Sequence, residues 1–333
     1  MKTIIIAEAG VNHNGKINQA LKMVDCAAQA KADYVKFQTY STDELVQKKL
    51  KLAKYQRSYL TKNDFQYNML KKYELSELDH KKIIKRCKKK KIKFLSSPFD
   101  LKSIRLLTKL KLVTFKIPSG EITNIPYLKK IGSLKKTIIL STGMSKIDEV
   151  DRAIKILIKY GTKRKNISLL HCSTEYPANP KNLNLLSISF LKTKFKVAVG
   201  YSDHSLGIQA SLTAVALGAI IIEKHFTLNK KSPGPDHKAS LTPRELNKLV
   251  KGIRNVEEIL GTNTKKPYNK ELSNLKYVRK YIVAKNTITK GQKFSDANIT
   301  TKRSGIGIPA EKWDSVIGKI SKHNFLYDEN IKF

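Results

Sequence analysis

The sequence predicts an α/β chain: a parallel (β/α)8 barrel followed by a small β-rich domain. Three observations predict it. Short β-branched apolar runs recur eight times up to Glu223, amphipathic stretches separate most of them, and no glycine-rich dinucleotide fingerprint follows the first run. Strands alternating with helices fit a barrel, and the missing fingerprint disfavours an open Rossmann sheet.

The expected strands are Ile4–Ala7, Tyr34–Phe37, Lys93–Leu95, Thr114–Ile117, Thr137–Leu140, Ile167–Leu170, Ala198–Gly200 and Ile220–Glu223. Apolar residues at helical period mark Ile17–Ala30, Leu78–Lys90, Lys146–Tyr160 and Leu206–Leu217 as helices between them. The connection from Gln38 to Ser76, with Tyr55, Tyr59, Phe65 and Tyr67, is too long for a simple turn and reads as a lid or substrate wall. The barrel domain is placed at residues 1–262 and a polar linker at 263–280. A small domain at 281–333 carries glycines 291, 305, 307 and 318 and the single Trp.

Composition narrows the function classes. An apolar share of 41% supports a real core, and no apolar run approaches bilayer length, so no membrane partner is expected. The opening MKTIIIAEAG resembles a signal peptide for only a few residues before Glu8 breaks it, which reads as a first strand. Cys26, Cys87 and Cys172 form neither a disulfide framework nor a metal motif, and suit a cytoplasmic chain. The net charge of +38 comes from 65 basic residues, of which only 9 are Arg. The run Lys88–Lys91 has no interleaved aromatics, so the charge reads as solvated helix faces that attract anionic substrates, not as a specific nucleic-acid surface.

Chemistry in a barrel sits at the C-terminal strand ends. Those ends offer Glu8, Asn12 and His13; Lys36 and Gln38; Ser96 and Ser97; Lys116, Ser119 and Glu121; Ser141 and Thr142; His171 and Tyr176; Ser202, Asp203 and His204; Lys224 and His225. Lys36 and Lys116 are costly in a barrel mouth unless they meet anions. With Ser97, Ser119 and Ser141 they describe a pocket for a small phosphorylated carboxylate. His204 and His225 close adjacent strands and can share one divalent ion, for which ligand softness alone suggests zinc or iron. His13, His171 and His237 are weaker ligands, and Asp236, in SPGPDHKAS, suits a sugar hydroxyl. The same lysines allow a Schiff-base aldolase, and snorkelling lysines with structural histidines remain the inert alternative.

The segments AEAGVNHNG, VKFQT, SSPFD, FKIPSGE, LSTGM, LHCSTEYP, GYSDH, EKHFT and PGPDH resemble, in order, the bacterial sialic acid synthases. That group includes N-acetylneuraminate, legionaminate and pseudaminate synthases. The tail ITTKRSGIGIP resembles their small C-terminal antifreeze-like (SAF) domain. The resemblance implies condensation of phosphoenolpyruvate with N-acetylmannosamine or, alternatively, with a 2,4-diacetamido-trideoxyhexose. It also implies Mn²⁺ or Mg²⁺, and a homodimer whose small domain caps the partner's active site. On it, Lys36, Ser97, Lys116, Ser119, Ser141 and Ser202 match phosphoenolpyruvate contacts, and His204 and His225 match metal ligands. Glu8, Gln38, Glu121, Tyr176 and Asp236 match positions around the acceptor sugar, with Glu8 suited to moving a proton. Arg303 matches an arginine delivered by the partner's small domain, although RSGIG here departs from the family's RPGNG.

Overall fold

The computed structural model describes residues 2–52 and 65–333; Tyr55 and Tyr59 of the expected wall lie outside them. The chain divides into two compact units, Met1–Gly261 and Thr262–Phe333.

The first unit is a nearly closed barrel of eight parallel strands: β1 (Ile4–Gly10), β2 (Tyr34–Thr39), β3 (Lys93–Pro98), β4 (Thr114–Ile117), β5 (Thr137–Ser141), β6 (Ile167–Cys172), β7 (Ala198–Asp203) and β8 (Ile221–His225). β1 pairs with both β2 and β8, the ladders run on to β3 and to β4, and these two pack side by side. Seven strands start where the sequence expects them, and β8 starts one residue later. Every strand but β4 runs past its expected end, because the ladder continues through polar residues that interrupt the apolar run without interrupting backbone pairing.

Helices form where local chemistry starts them. Ser76 Oγ accepts from Asp79 N–H at 3.1 Å while Asp79 Oδ2 accepts from Ser76 N–H at 3.2 Å, so the helix Glu77–Lys89 begins with its free donors satisfied. Thr242 and Glu245 do the same for Pro243–Leu260. The helix Ile147–Lys159 buries Val150, Ala153, Ile154 and Leu157 at three- and four-residue spacing; each large member contributes about 1.5–3 kcal/mol by leaving water. Strand contact is tight at Gly200, where a Cβ would meet Ile221 O at 2.3 Å.

Inside the barrel Ile6, Leu95, Ile139, Leu170 and Ile221 form an apolar layer. Because side chains alternate along a strand, Glu8, Ser97, Ser141, Cys172 and Glu223 face inward two residues further on. That layer is the floor of the site.

The second unit pairs β9 (Tyr281–Ala284) with β10 (Ile299–Lys302) antiparallel over a core that includes Ile288, Phe294, Val316 and Phe325. The segment read as linker carries two four-residue helical turns, Asn269–Leu272 and Leu275–Val278, with Leu275 the least exposed of its side chains. No helix among the described residues is long and apolar enough to cross a membrane.

Candidate active site

A cavity of about 780 Å³ opens at the C-terminal ends of the strands. It is lined by Glu8, Lys36, Gln38, Ser97, Lys116, Ser119, Glu121, Ser141, Tyr176, Ser202, His204, His225 and Asp236. The barrel thus brings together its residues matched above to phosphoenolpyruvate, the acceptor sugar or a metal, while Asn12, Ser96 and Thr142, also read at strand ends, do not line the cavity. Arg303 lies on the second unit, exposed, just after β10. There Gly305 and Gly307 take positive φ of 74° and 108°, and Ser304 Oγ donates to Ile306 O at 2.7 Å, bracing the departing loop.

The floor is a charge cluster. Lys36 Nζ lies 3.0 Å from Glu8 Oε1, 3.2 Å from Ser97 Oγ and 3.7 Å from Glu223 Oε2. Lys116 Nζ donates to Ser141 Oγ at 2.6 Å and sits 3.7 Å from Glu223 Oε1, which also accepts from Ser202 Oγ at 3.0 Å. Burial raises the Glu8 carboxyl to about 7, with Lys36 only partly offsetting it. Burial would raise Glu223 too, but Lys116 and Lys36 hold it below the usual carboxylate range. Burial alone would lower Lys36, yet the charges of Glu223 and Glu8 hold its ammonium above its ordinary value. Lys116 is pushed down by burial, with Glu223 opposing.

Glu223 was missed by the sequence reading, and Lys224 was wrongly counted as a mouth residue. Two-residue spacing puts Glu223 on the same face as His225, so parity was the available signal. Lys224 instead turns to the outer side of the barrel wall and pairs with Asp203, which was likewise read as a mouth group. Both are corrected by the pleat.

The two imidazoles stand beside this cluster, ring centroids 5.5 Å apart. His204 Nδ1 donates to Ser173 O, which fixes the tautomer and leaves Nε2 accepting from Tyr176 Oη at 2.9 Å. Tyr176 stacks on that ring, centroids 4.1 Å apart. Burial lowers His204 to about 4 and His225 well below its usual value, so both rings are neutral at neutral pH. Buried side-chain atoms without a hydrogen-bond partner, among the described residues, include Glu8 Oε2, Glu223 Oε2 and His225 Nδ1. Such orphans are costly unless something else meets them.

The weaker histidines make hydrogen bonds outside the cavity lining. His171 bonds Leu183 O at 2.6 Å, His13 Nδ1 accepts from Gly15 N–H at 3.0 Å, and His237 bridges Thr227 and Asn14. At Gly143 a Cβ would come within 2.9 Å of Ser119 Oγ, so any side chain there would displace a group that lines the cavity. Higher up, Val46, Leu50, Met69, Leu70 and Tyr73 make an apolar wall from the described parts of the long connection. Tyr67, expected in that wall, instead donates to Asp43 Oδ1 at 2.6 Å.

The NeuB family model matches residues 23–265 and the SAF domain model residues 279–332. The chain is 51% identical to an N,N′-diacetyllegionaminic acid synthase of Campylobacter jejuni, over 99% of each chain. It is 42% identical to a synthase of the same name from Legionella pneumophila, over 96% of this chain and 90% of that one. Among solved structures it resembles an N-acetylneuraminic acid (sialic acid) synthetase from Leptospira borgpetersenii in complex with citrate. The identity is 36%, the TM-score 0.73, and the match covers 83% of this chain and 91% of that one. Barrel, mouth chemistry and relatives define a transferase that forms a carbon–carbon bond with phosphoenolpyruvate. The chain belongs to the NeuB family and ends in a SAF domain.

Proposed function

We propose that this enzyme condenses phosphoenolpyruvate with a 2,4-diacetamido-trideoxyhexose, making an N,N′-diacetyllegionaminic-acid-type sugar. N-acetylmannosamine, the acceptor first expected, takes second place, because the relatives at 51% and 42% identity are legionaminic acid synthases. The observation that carries the reaction type is the floor cluster: two buried lysines with serine donors, beside two neutral imidazoles. The apolar wall supports the acceptor, since two acetamido methyls and a deoxy carbon prefer it to water.

In this reading Lys36 and Lys116 take the phosphate and carboxylate of phosphoenolpyruvate, with Ser97, Ser119, Ser141 and Ser202 completing the donors. Their fixed positions hold the nucleophilic C3 against the sugar aldehyde, so orientation supplies much of the rate. Gln38, Glu121, Tyr176 and Asp236 orient the acceptor. Glu8, raised to about 7, is poised to move a proton at neutral pH.

A divalent ion fits the residues present: His225 Nδ1 is buried without a hydrogen bond, 3.7 Å from Asp236 Oδ2, and both rings are neutral. His204 and His225 would hold Mn²⁺ or Mg²⁺, which supplies Lewis acidity toward the aldehyde oxygen. Among the described residues no group of three His, Cys, Asp or Glu forms a metal site, so substrate and water oxygens would complete the coordination. We assign the enzyme to the cytoplasm, supported by its three free cysteines.

Turnover of the two sugars tests the acceptor. We expect kcat/KM at least about 10-fold higher for the diacetamido sugar, the size of a few apolar contacts; a preference for N-acetylmannosamine overturns the assignment. In the same reading Arg303 serves the partner's site in a homodimer. Mixing His225→Ala with Arg303→Ala chains under subunit exchange should then restore roughly a quarter of the active sites. Proven exchange without recovery would remove Arg303 from the partner's site.

A further inference from the structure

We propose that the buried Lys224–Asp203 ion pair is a positioning device for the two mouth imidazoles, and so sets how tightly a divalent ion binds. The inference rests on the metal reading above.

Asp203 and Lys224 are register partners on neighbouring strands β7 and β8. Their side chains are sealed, 0% and 1% exposed, with Nζ 2.9 Å from Oδ2. Each is one peptide link from an imidazole: Asp203 precedes His204, and Lys224 precedes His225. Strand alternation sends the pair to one side of the wall and Ser202, Glu223 and His225 to the other. Beyond pairing, both charges fasten Ser205, the residue directly after His204. Asp203 Oδ1 accepts from Ser205 N–H at 2.8 Å and from Ser205 Oγ at 2.7 Å, and Lys224 Nζ donates to Ser205 O. Asp203 Oδ2 also accepts from Ser211 Oγ at 2.6 Å, which ties the loop to the following helix.

The chain around His204 is thereby gripped at 203 and 205 and locked to the residue before His225. A sealed ion pair is a poor device for stability alone, because an apolar pair of similar volume often does as well. What it adds is direction: it fixes two strand ends at a set separation, as groups behind metal ligands commonly do.

Mn²⁺ binding to the full-length protein, followed by the electron paramagnetic resonance signal of the free ion, tests this without turnover. Asp203→Asn and Lys224→Met should each weaken binding about 10- to 100-fold. In the double variant no buried charge is left unpaired, so the unfolding midpoint should return toward wild type. Affinity should not return with it, which a purely structural role would not predict. If the double variant does not fold, Ser205→Ala, which keeps both charges, should bind Mn²⁺ several-fold more weakly. A folded double variant, or failing that Ser205→Ala, with wild-type affinity overturns the positioning role and leaves the metal reading standing. A wild-type protein that takes up no Mn²⁺ overturns both.

Discussion

The barrel interior holds two neighbouring layers built on the same strand faces, with opposite chemistry. Ile6, Leu95, Ile139, Leu170 and Ile221 fill the lower one with apolar side chains. Two residues on, the upper layer places Glu8, Ser97, Ser141 and Glu223 with Lys36 and Lys116, equally buried but charged or polar. The lower layer is held by burial, and its loss is felt as stability. The upper layer pairs imperfectly with itself, leaving two carboxylate oxygens and an imidazole nitrogen buried without hydrogen bonds, a local cost of the kind found at functional sites. One set of strands thus supplies rigidity and reactivity two residues, about 7 Å, apart.

The sharpest way to break this division is to deny the site the divalent ion proposed for it. Chelation, or His225→Ala, should reduce turnover to background, with Mn²⁺ restoring only the chelated wild type. Since His225 lies above the lower layer, the metal-free variant should keep its far-ultraviolet circular dichroism. Near-normal turnover in EDTA by a variant lacking both His204 and His225 would sink the metal assignment.

A paired substitution across the layers is next in size. Lys116→Ala should lower kcat/KM for phosphoenolpyruvate about 10- to 100-fold, the worth of a charged hydrogen bond, with a smaller effect on the sugar's KM. Ile139→Ala should instead cost about 2–5 kcal/mol of unfolding free energy while the folded enzyme keeps its kinetics. The reverse pattern would mean that the layers do not divide the labour in this way.

The two layers were not equally legible in the sequence. The lower one declares itself through β-branched runs, and eight strands followed from these alone. The upper layer begins where those runs end, so hydrophobicity placed the strand ends too early and only residue chemistry pointed to the mouth. Counting polar residues there found Lys36, Lys116 and the serines but could not separate inward from outward positions. Within EKH, parity was needed to exchange Lys224 for Glu223, and parity is unreadable until the strand's true end is known. The helical turns at Asn269–Leu272 and Leu275–Val278 were invisible for another reason: with mostly exposed side chains they carry no apolar stripe.

The smallest effect probes how the upper layer's charge weighs on folding. Burial lifts Glu8 from 4.5 to about 7, so the folded chain keeps that proton where the unfolded chain has released it. A raised pKa contributes stability that is complete below 4.5 and is lost as pH rises through 7. His204 runs the other way. Lowered from 6.5 to about 4, it contributes stability present above 6.5 and lost as pH falls through 4. Glu8→Gln deletes the first contribution and spares the second. Its unfolding free energy relative to wild type should therefore climb between pH 4.5 and 7, by at most about 1.4 kcal/mol per unit, and level off above. Any cost of leaving Lys36 with Glu223 alone adds a constant offset, because that ammonium stays charged across the range. Denaturant midpoints for the two proteins at matched pH values read the difference directly. A gap that stays flat from pH 4.5 to 7 would show that Glu8 ionises in the folded barrel as freely as in the unfolded chain, and the upper layer would lose its claim to hold charge at a cost.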